Sequence, residues 1–206
     1  TQMVTERERL RSELEIASRI QTGFLPKSFG EFCKMENVKI TARMKPAKEV
    51  GGDFYDIFRI DERRLCFLVA DVSGKGVPAA LFMTLAKTHI KNYMMLDMPV
   101  AEVVGLVNNR LNEDNEEELF VTVFVCVLDT DTGKLTFVNG GHNKPFISKE
   151  GKPFKQLDCK VDCAVGIMED MPYREQSTEL MPGDCFCLYT DGVPEAFDIN
   201  GEMFSD

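Results

Sequence analysis

With 206 residues, 44% of them hydrophobic and 28% charged, the chain has enough apolar content for one sizeable core, and single β-rich or α/β domains reach this length. Its 24 basic against 34 acidic residues give a net charge of -10; that leaves no basic footprint for nucleic acid and fits a soluble surface or a site that gathers cations. No apolar run approaches the ~20 residues that cross a bilayer, and no charged-then-apolar leader opens the chain, so no membrane contact is expected from it.

The first segment, "VTERERLRSELEIASRIQTGFLPK", is charged and helix-prone. Leu10, Leu14, Ala17, Gln21 and Phe24 recur in steps of four and three, a short heptad-like seam that Pro26 ends. Two arrangements satisfy it: an amphipathic helix lying on its own domain, or a two-stranded linker helix joining this domain to an upstream sensor or to a second copy in a homodimer. Residues 1–26 are therefore set apart as a linker from a domain over 27–206.

From Val38 the period changes to two. Val38, Ile40, Ala42 and Met44 alternate within "VKITARMKPA", as a half-buried strand should. "DFYDIFRI" and "RLCFLVADV" predict two further strands about the polar turn "DERR". "SGKGVP" breaks the run, and a helix is predicted from about Pro78, with Phe82, Leu85, Ala86, His89 and Tyr93 on one face. A second helix from about Pro99 sets Val100, Val103, Val104, Val107 and Leu111 at helical spacing.

After the acidic loop "NEDNEEE", "LFVTVFVCVLD" and "LTFVNGG" flank the turn "TDTGK" and predict a hairpin. "KPFISKEG" and "DCFCLYTDG" add shorter strands, the latter after the turn signal "MPGD". Strands, two helices, then more strands make an α+β chain with segregated elements. Of the seven cysteines, Cys66, Cys126, Cys185 and Cys187 sit in apolar strand-like runs and read as small hydrophobes. "CKVDC" and "CFC" lack the paired short spacings of structural zinc sites, and an odd, scattered set fits a reducing compartment, hence the cytoplasm.

Three aspartates stand out against this pattern. Asp53 opens a strand after two glycines in "VGGDFYDIF", Asp71 ends one in "CFLVADVSGKG", and Asp191 ends another in "CLYTDG". Charge at the edge of a core is costly unless compensated, and aspartates gathered at one sheet edge repel unless protonated or sharing cations. Hard divalent ions such as Mg²⁺ or Mn²⁺ take oxygen ligands of this kind. A single Asp-Gly is most simply a turn; three, each beside an apolar strand, point to a metal centre built from strand ends. "DVSGKGVP" lacks the GxxxxGK[ST] spacing of a phosphate-binding P-loop, so Lys75 reads as a loop lysine.

"VGGDFYD", "VADVSGKGVPAAL", "FVTVFVCVLD", "FVNGGHNKPF", "MPGD" and "LYTDGVPEAF" occur in the order found in the SpoIIE/RsbU-type branch of the metal-dependent (PPM-type) serine/threonine protein phosphatases, which the chain resembles from about Glu13 to Phe204. "ELEIASRIQTGFLP" is similar to the linker that precedes that domain. The resemblance implies a β-sandwich of two antiparallel sheets flanked by helices, with two Mn²⁺ or Mg²⁺ ions at one edge. It implies that Asp71 bridges both ions, that Asp53 and the backbone carbonyl of Val72 serve one, and that Asp191 serves the other. Asp56, in the strand opened by Asp53, has no role in that pattern and is expected to be solvated or hydrogen-bonded. The implied substrate is a phosphoserine or phosphothreonine on a protein of the anti-anti-sigma type, in bacterial partner-switching signalling.

Two ions about 3.5–4 Å apart lower the pKa of a shared water and clamp phosphoryl oxygens for in-line attack. The resemblance thus implies that the nucleophile would be a metal-bound hydroxide, with none needed from cysteine, serine or histidine. Eukaryotic relatives place a histidine two positions after the bridging aspartate; here Ser73 stands there, so the resemblance implies no side-chain general acid at that position and a proton supplied by metal-bound water. His89, on the apolar face of its helix, reads as packed, and His142, in "GGHN", as loop scaffolding.

The family pattern continues into one more strand with a further aspartate ligand, whereas this sequence stops at "GEMFSD". Asp206 is not assigned that role, and the chain is expected to be a fragment lacking its C-terminal strand. Two alternatives come from other classes. A phosphoprotein- or sensor-binding module with an incomplete metal site would bind without turnover. A nucleotide cyclase would share two aspartates and two metals, but in "GGDF" Phe54 stands where the GGDEF signature has Glu, and the companion aspartate comes later in the chain instead of earlier.

Overall fold

The computed structural model describes residues 2–27, 29, 38–46 and 49–204. Its elements run α1 (Gln2–Phe24), β1 (Phe54–Arg59), β2 (Arg64–Val72), α2 (Val77–Met94), α3 (Val100–Asn112), β3 (Val121–Asp129), β4 (Lys134–Gly140), β5 (Phe146–Ser148), β6 (Lys155–Gln156), β7 (Gln176–Glu179) and β8 (Cys185–Cys187). They form two antiparallel sheets, ordered β1-β2-β3-β4-β7 and β6-β5-β8. Cys33 and Asp206 lie outside the described residues.

The larger sheet is covered on both faces, which is why its central strands read as almost continuous apolar runs. One face carries Cys66, Leu68, Ala70 and Val72 of β2 with Val121, Val123 and Val125 of β3, packed beneath Phe82, Met83, Ala86 and Ile90 of α2 and the valines of α3. The other face carries Phe124, Cys126 and Leu128 of β3 with Leu135 and Phe137 of β4, and meets Phe186 of the smaller sheet. The Phe124 and Phe137 rings stack with centroids 5.1 Å apart, and Phe186 lies 6.0 Å from Phe124. Helix layer, large sheet and small sheet thus realise the expected α+β sandwich.

α3 starts where expected, with its first N–H, that of Val100, donating 2.8 Å to the Glu175 carboxylate. α2 is turned relative to expectation. Leu85 is 52% exposed, and Lys87 is buried instead because it reaches Asp56 on β1. Asp56 is 3% exposed; it is hydrogen-bonded and not solvated. His89 is half-buried on the helix shoulder, its ring stacked on Tyr93.

The strand expected over "VKITARMKPA" is absent from the described part, 38–46. Val38 packs against the cluster between the sheets while Met44 packs against the helix-side cluster; a segment that passes from one layer to another cannot share one ladder. β6 and β7 were not anticipated, since both are short and polar and sit at sheet edges. Cys185 and Cys187 face outward on either side of the half-buried Phe186, so they are not the core hydrophobes expected of them. Among the described residues no helix is long and apolar enough to cross a membrane.

Along the α1 seam, Leu10 and Phe24 are exposed, Leu14 and Ala17 half-buried, and Gln21 is buried against the chain's own domain. Leu25, just past the helix, joins the core beneath α2.

Candidate metal centre

Asp71 is the penultimate residue of β2 and pairs across the ladder with Thr122 of β3. Asp53 immediately precedes β1, the neighbour of β2. Asp191 follows β8 in the other sheet. One end of the sandwich therefore gathers carboxylates from three remote stretches, and one oxygen from each lies within 4.8 Å of the others. Among the described residues no other group of histidines, cysteines and acids converges in this way, so neither "CKVDC" nor "CFC" forms a cluster.

Glycine makes the approach possible. A Cβ on Gly52 would stand 2.6 Å from the carbonyl oxygen of Val72. Only a residue without a side chain lets the segment before β1 press on the end of β2, which brings the Val72 carbonyl, one residue past Asp71, against Gly52, one residue before Asp53.

The electrostatics are those of a site short of positive charge. Burial, then the charges of Asp53 and Asp191, push the Asp71 carboxyl up to about 7. Asp53 is raised as well, chiefly by burial and further by Asp191, against hydrogen bonds to Asp71 and Thr190. Its Oδ1 is buried with no hydrogen-bond partner among the described residues. A buried carboxylate oxygen without a donor among the described residues, beside two further carboxylates, is an environment that a hard cation satisfies. The donor set is all oxygen, which fits Mg²⁺ or Mn²⁺ and not a thiophilic metal.

Behind the carboxylates stands His142, 4% exposed. Its Nε2 lies 3.0 Å from the Tyr189 carbonyl, which can only accept, so Nε2 carries the proton and Nδ1 accepts from the Thr122 hydroxyl at 2.9 Å. Burial holds the imidazole down to about 4, against the pull of the Tyr189 carbonyl and Asp191. The Asn139 side chain fixes the histidine backbone, accepting from its N–H at 2.7 Å and donating to its C=O at 3.0 Å. His142 is thus the scaffold expected of it, and a specific one: it ties β3 opposite Asp71 to the stretch leading into Asp191.

Ser73 is structural. Its N–H donates to the Phe120 carbonyl and its hydroxyl accepts from the Phe120 N–H, at 2.8 and 2.9 Å, so this side chain closes the β2–β3 end. Lys75 is exposed on the following loop. Thr122 and Asn139 escaped the sequence reading although each left a signal, a lone polar residue inside an apolar strand.

Residues 61–206 match the family described as Stage II sporulation protein E (SpoIIE). The chain is 30% identical over 193 residues to phosphoserine phosphatase RsbU of Bacillus subtilis, covering 93% of this chain and 56% of that protein. It is also 30% identical over 222 residues to protein IcfG of Synechocystis sp., covering 94% and 34% respectively. The chain therefore spans between about a third and just over half the length of these relatives. Its fold is that of the SiaA-PP2C domain of Pseudomonas aeruginosa, with a TM-score of 0.80 and 24% identity over 98% of this chain and 80% of that one.

Proposed function

Because the chain belongs to the SpoIIE family, we propose that it is a metal-dependent phosphoserine/phosphothreonine protein phosphatase, with Asp53, Asp71, the Val72 carbonyl and Asp191 as the ligands of two Mn²⁺ or Mg²⁺ ions. The observation that carries this reading is the convergence of two half-buried carboxylates, Asp53 and Asp71, with the exposed Asp191 around an Oδ1 without a hydrogen-bond partner among the described residues. When bound, such a pair of ions ionises a shared water and neutralises the phosphoryl oxygens during in-line displacement.

The chain's own part is positional. Asp71, held rigidly in a ladder strand, fixes the centre; Asp53 and Asp191 close on it from two sheets; Thr122, His142 and Asn139 hold the strand ends in register. Neutral His142, with its proton committed to the Tyr189 carbonyl, keeps its place without adding a cation that would compete with the metals.

Similarity to a phosphoserine phosphatase supports a phosphorylated protein substrate, of the anti-anti-sigma type in a partner-switching pathway, under the control of an upstream sensor. Free thiols at all six described cysteines support a cytoplasmic location. The test is hydrolysis of an aryl phosphate by the full-length protein. Activity should require Mn²⁺ or Mg²⁺, vanish on chelation, and fall at least ~100-fold in Asp71→Asn. Metal binding with no turnover on any phosphoester would instead establish a binding module.

A further inference from the structure

Gln21 is 7% exposed, an unusual depth for an amide on a helix whose preceding turns lie mostly in solvent. Its side chain makes a two-point contact with a single backbone unit thirty residues away. Nε2 donates to the Gly51 carbonyl at 2.6 Å, and the Gly51 N–H donates to Oε1 at 3.2 Å. A side-chain amide bonded this way imitates the neighbouring strand that residues 49–52 lack.

The tie falls at a sensitive place. Gly51 is followed by Gly52, whose backbone presses on the Val72 carbonyl, and then by Asp53. Two residues further on, the Tyr55 hydroxyl donates to the Pro26 carbonyl at 2.9 Å. The chain is therefore bonded to the end of α1 on both sides of Asp53, at 51 and at 55, while Leu25 anchors the same end in the core. A displacement of the last helical turn moves Gly51, and the Gly52–Val72 contact leaves little slack for that motion to dissipate before Asp53.

We propose that Gln21 is a positioning residue for Asp53, so that occupancy of the divalent site depends on where the last turn of α1 sits. The inference rests on the metal-centre reading above. Partners of this rank, one step behind a ligand, commonly tune metal affinity by about 10–100-fold.

Calorimetric titration of Mn²⁺ into the full-length protein, with Asp71→Asn alongside, separates the two claims. Gln21→Met keeps length, bulk and helix propensity and loses both hydrogen bonds; Mn²⁺ binding should weaken at least ~10-fold. In turnover assays the Mn²⁺ concentration for half-activation should rise by the same factor while kcat at saturating Mn²⁺ is retained, a split that general destabilisation would not give. Gln21→Glu, which keeps the acceptor for the Gly51 N–H and loses the donor, should fall between the two and carries the test should the methionine variant not fold. Wild-type affinity in these variants, with Asp71→Asn unable to bind, overturns the role of Gln21 alone. A wild-type protein that binds Mn²⁺ no better than Asp71→Asn overturns the metal-centre reading and this inference with it.

Discussion

Asp71 sits where a carboxylate is hard to keep ionised, half-buried at a strand end with two more carboxylates in reach. Its folded-state value of about 7 has a thermodynamic consequence. Unfolding returns the group to water and to about 4, so across that interval the folded chain holds a proton that the unfolded chain has released. Stability of the metal-free protein therefore falls as pH rises from about 4 to about 7, and the upward shift of Asp53 acts in the same direction. A divalent cation replaces the proton and removes the penalty. Thermal melting of metal-free wild type should lose ground to Asp71→Asn between pH 5 and pH 8, and Mn²⁺ at pH 8 should raise the wild type only. Parallel pH profiles for the two would contradict this electrostatic picture.

At the scale of elements, β1 is held to α2 by one buried ion pair. Asp56 accepts from the Ile57 N–H at 2.8 Å through Oδ1 and from Lys87 Nζ through Oδ2. Removing one partner leaves the other charged and unpaired in the core, which costs about 3–5 kcal/mol, whereas replacing both by apolar groups is often neutral. Lys87→Met alone should lower unfolding free energy by that amount in urea titration, and Asp56→Leu with Lys87→Met should recover most of it. Single variants within about 1 kcal/mol of wild type would show the pair to be solvated in solution.

The same pair marks what periodicity can and cannot reveal. α3, β2, β3 and β4 were legible because their apolar spacing matches the faces they bury. The rotation of α2 was not, because lysine carries no apolar signal and its burial depends on an acid thirty-one residues away. β6 and β7 are too short and polar to leave a pattern, and "VKITARMKPA" leaves one without a ladder. Of the site, the three aspartates announced themselves as charge at the edge of greasy strands. Gln21 fell on the seam of a heptad-like helix and looked like an interface residue; only the folded chain brings Gly51 to it.

For the whole molecule, the sandwich brings three distant carboxylates to one edge. Asp53 and Asp71 come from neighbouring strand ends of the large sheet, and Asp191 from the small one, so the centre exists only when the sheets are packed. The aromatic contacts of Phe124, Phe137 and Phe186 are thus part of what keeps Asp191 in range. The most direct test of the central claim is anomalous diffraction at the manganese edge from crystals of the protein grown with Mn²⁺. Density peaks bounded by Asp53, Asp71 and Asp191, with carboxylate oxygens at about 2 Å as hard cations require, are the predicted result. Crystals with no manganese between these residues, or with the three side chains turned away from one another, would contradict it.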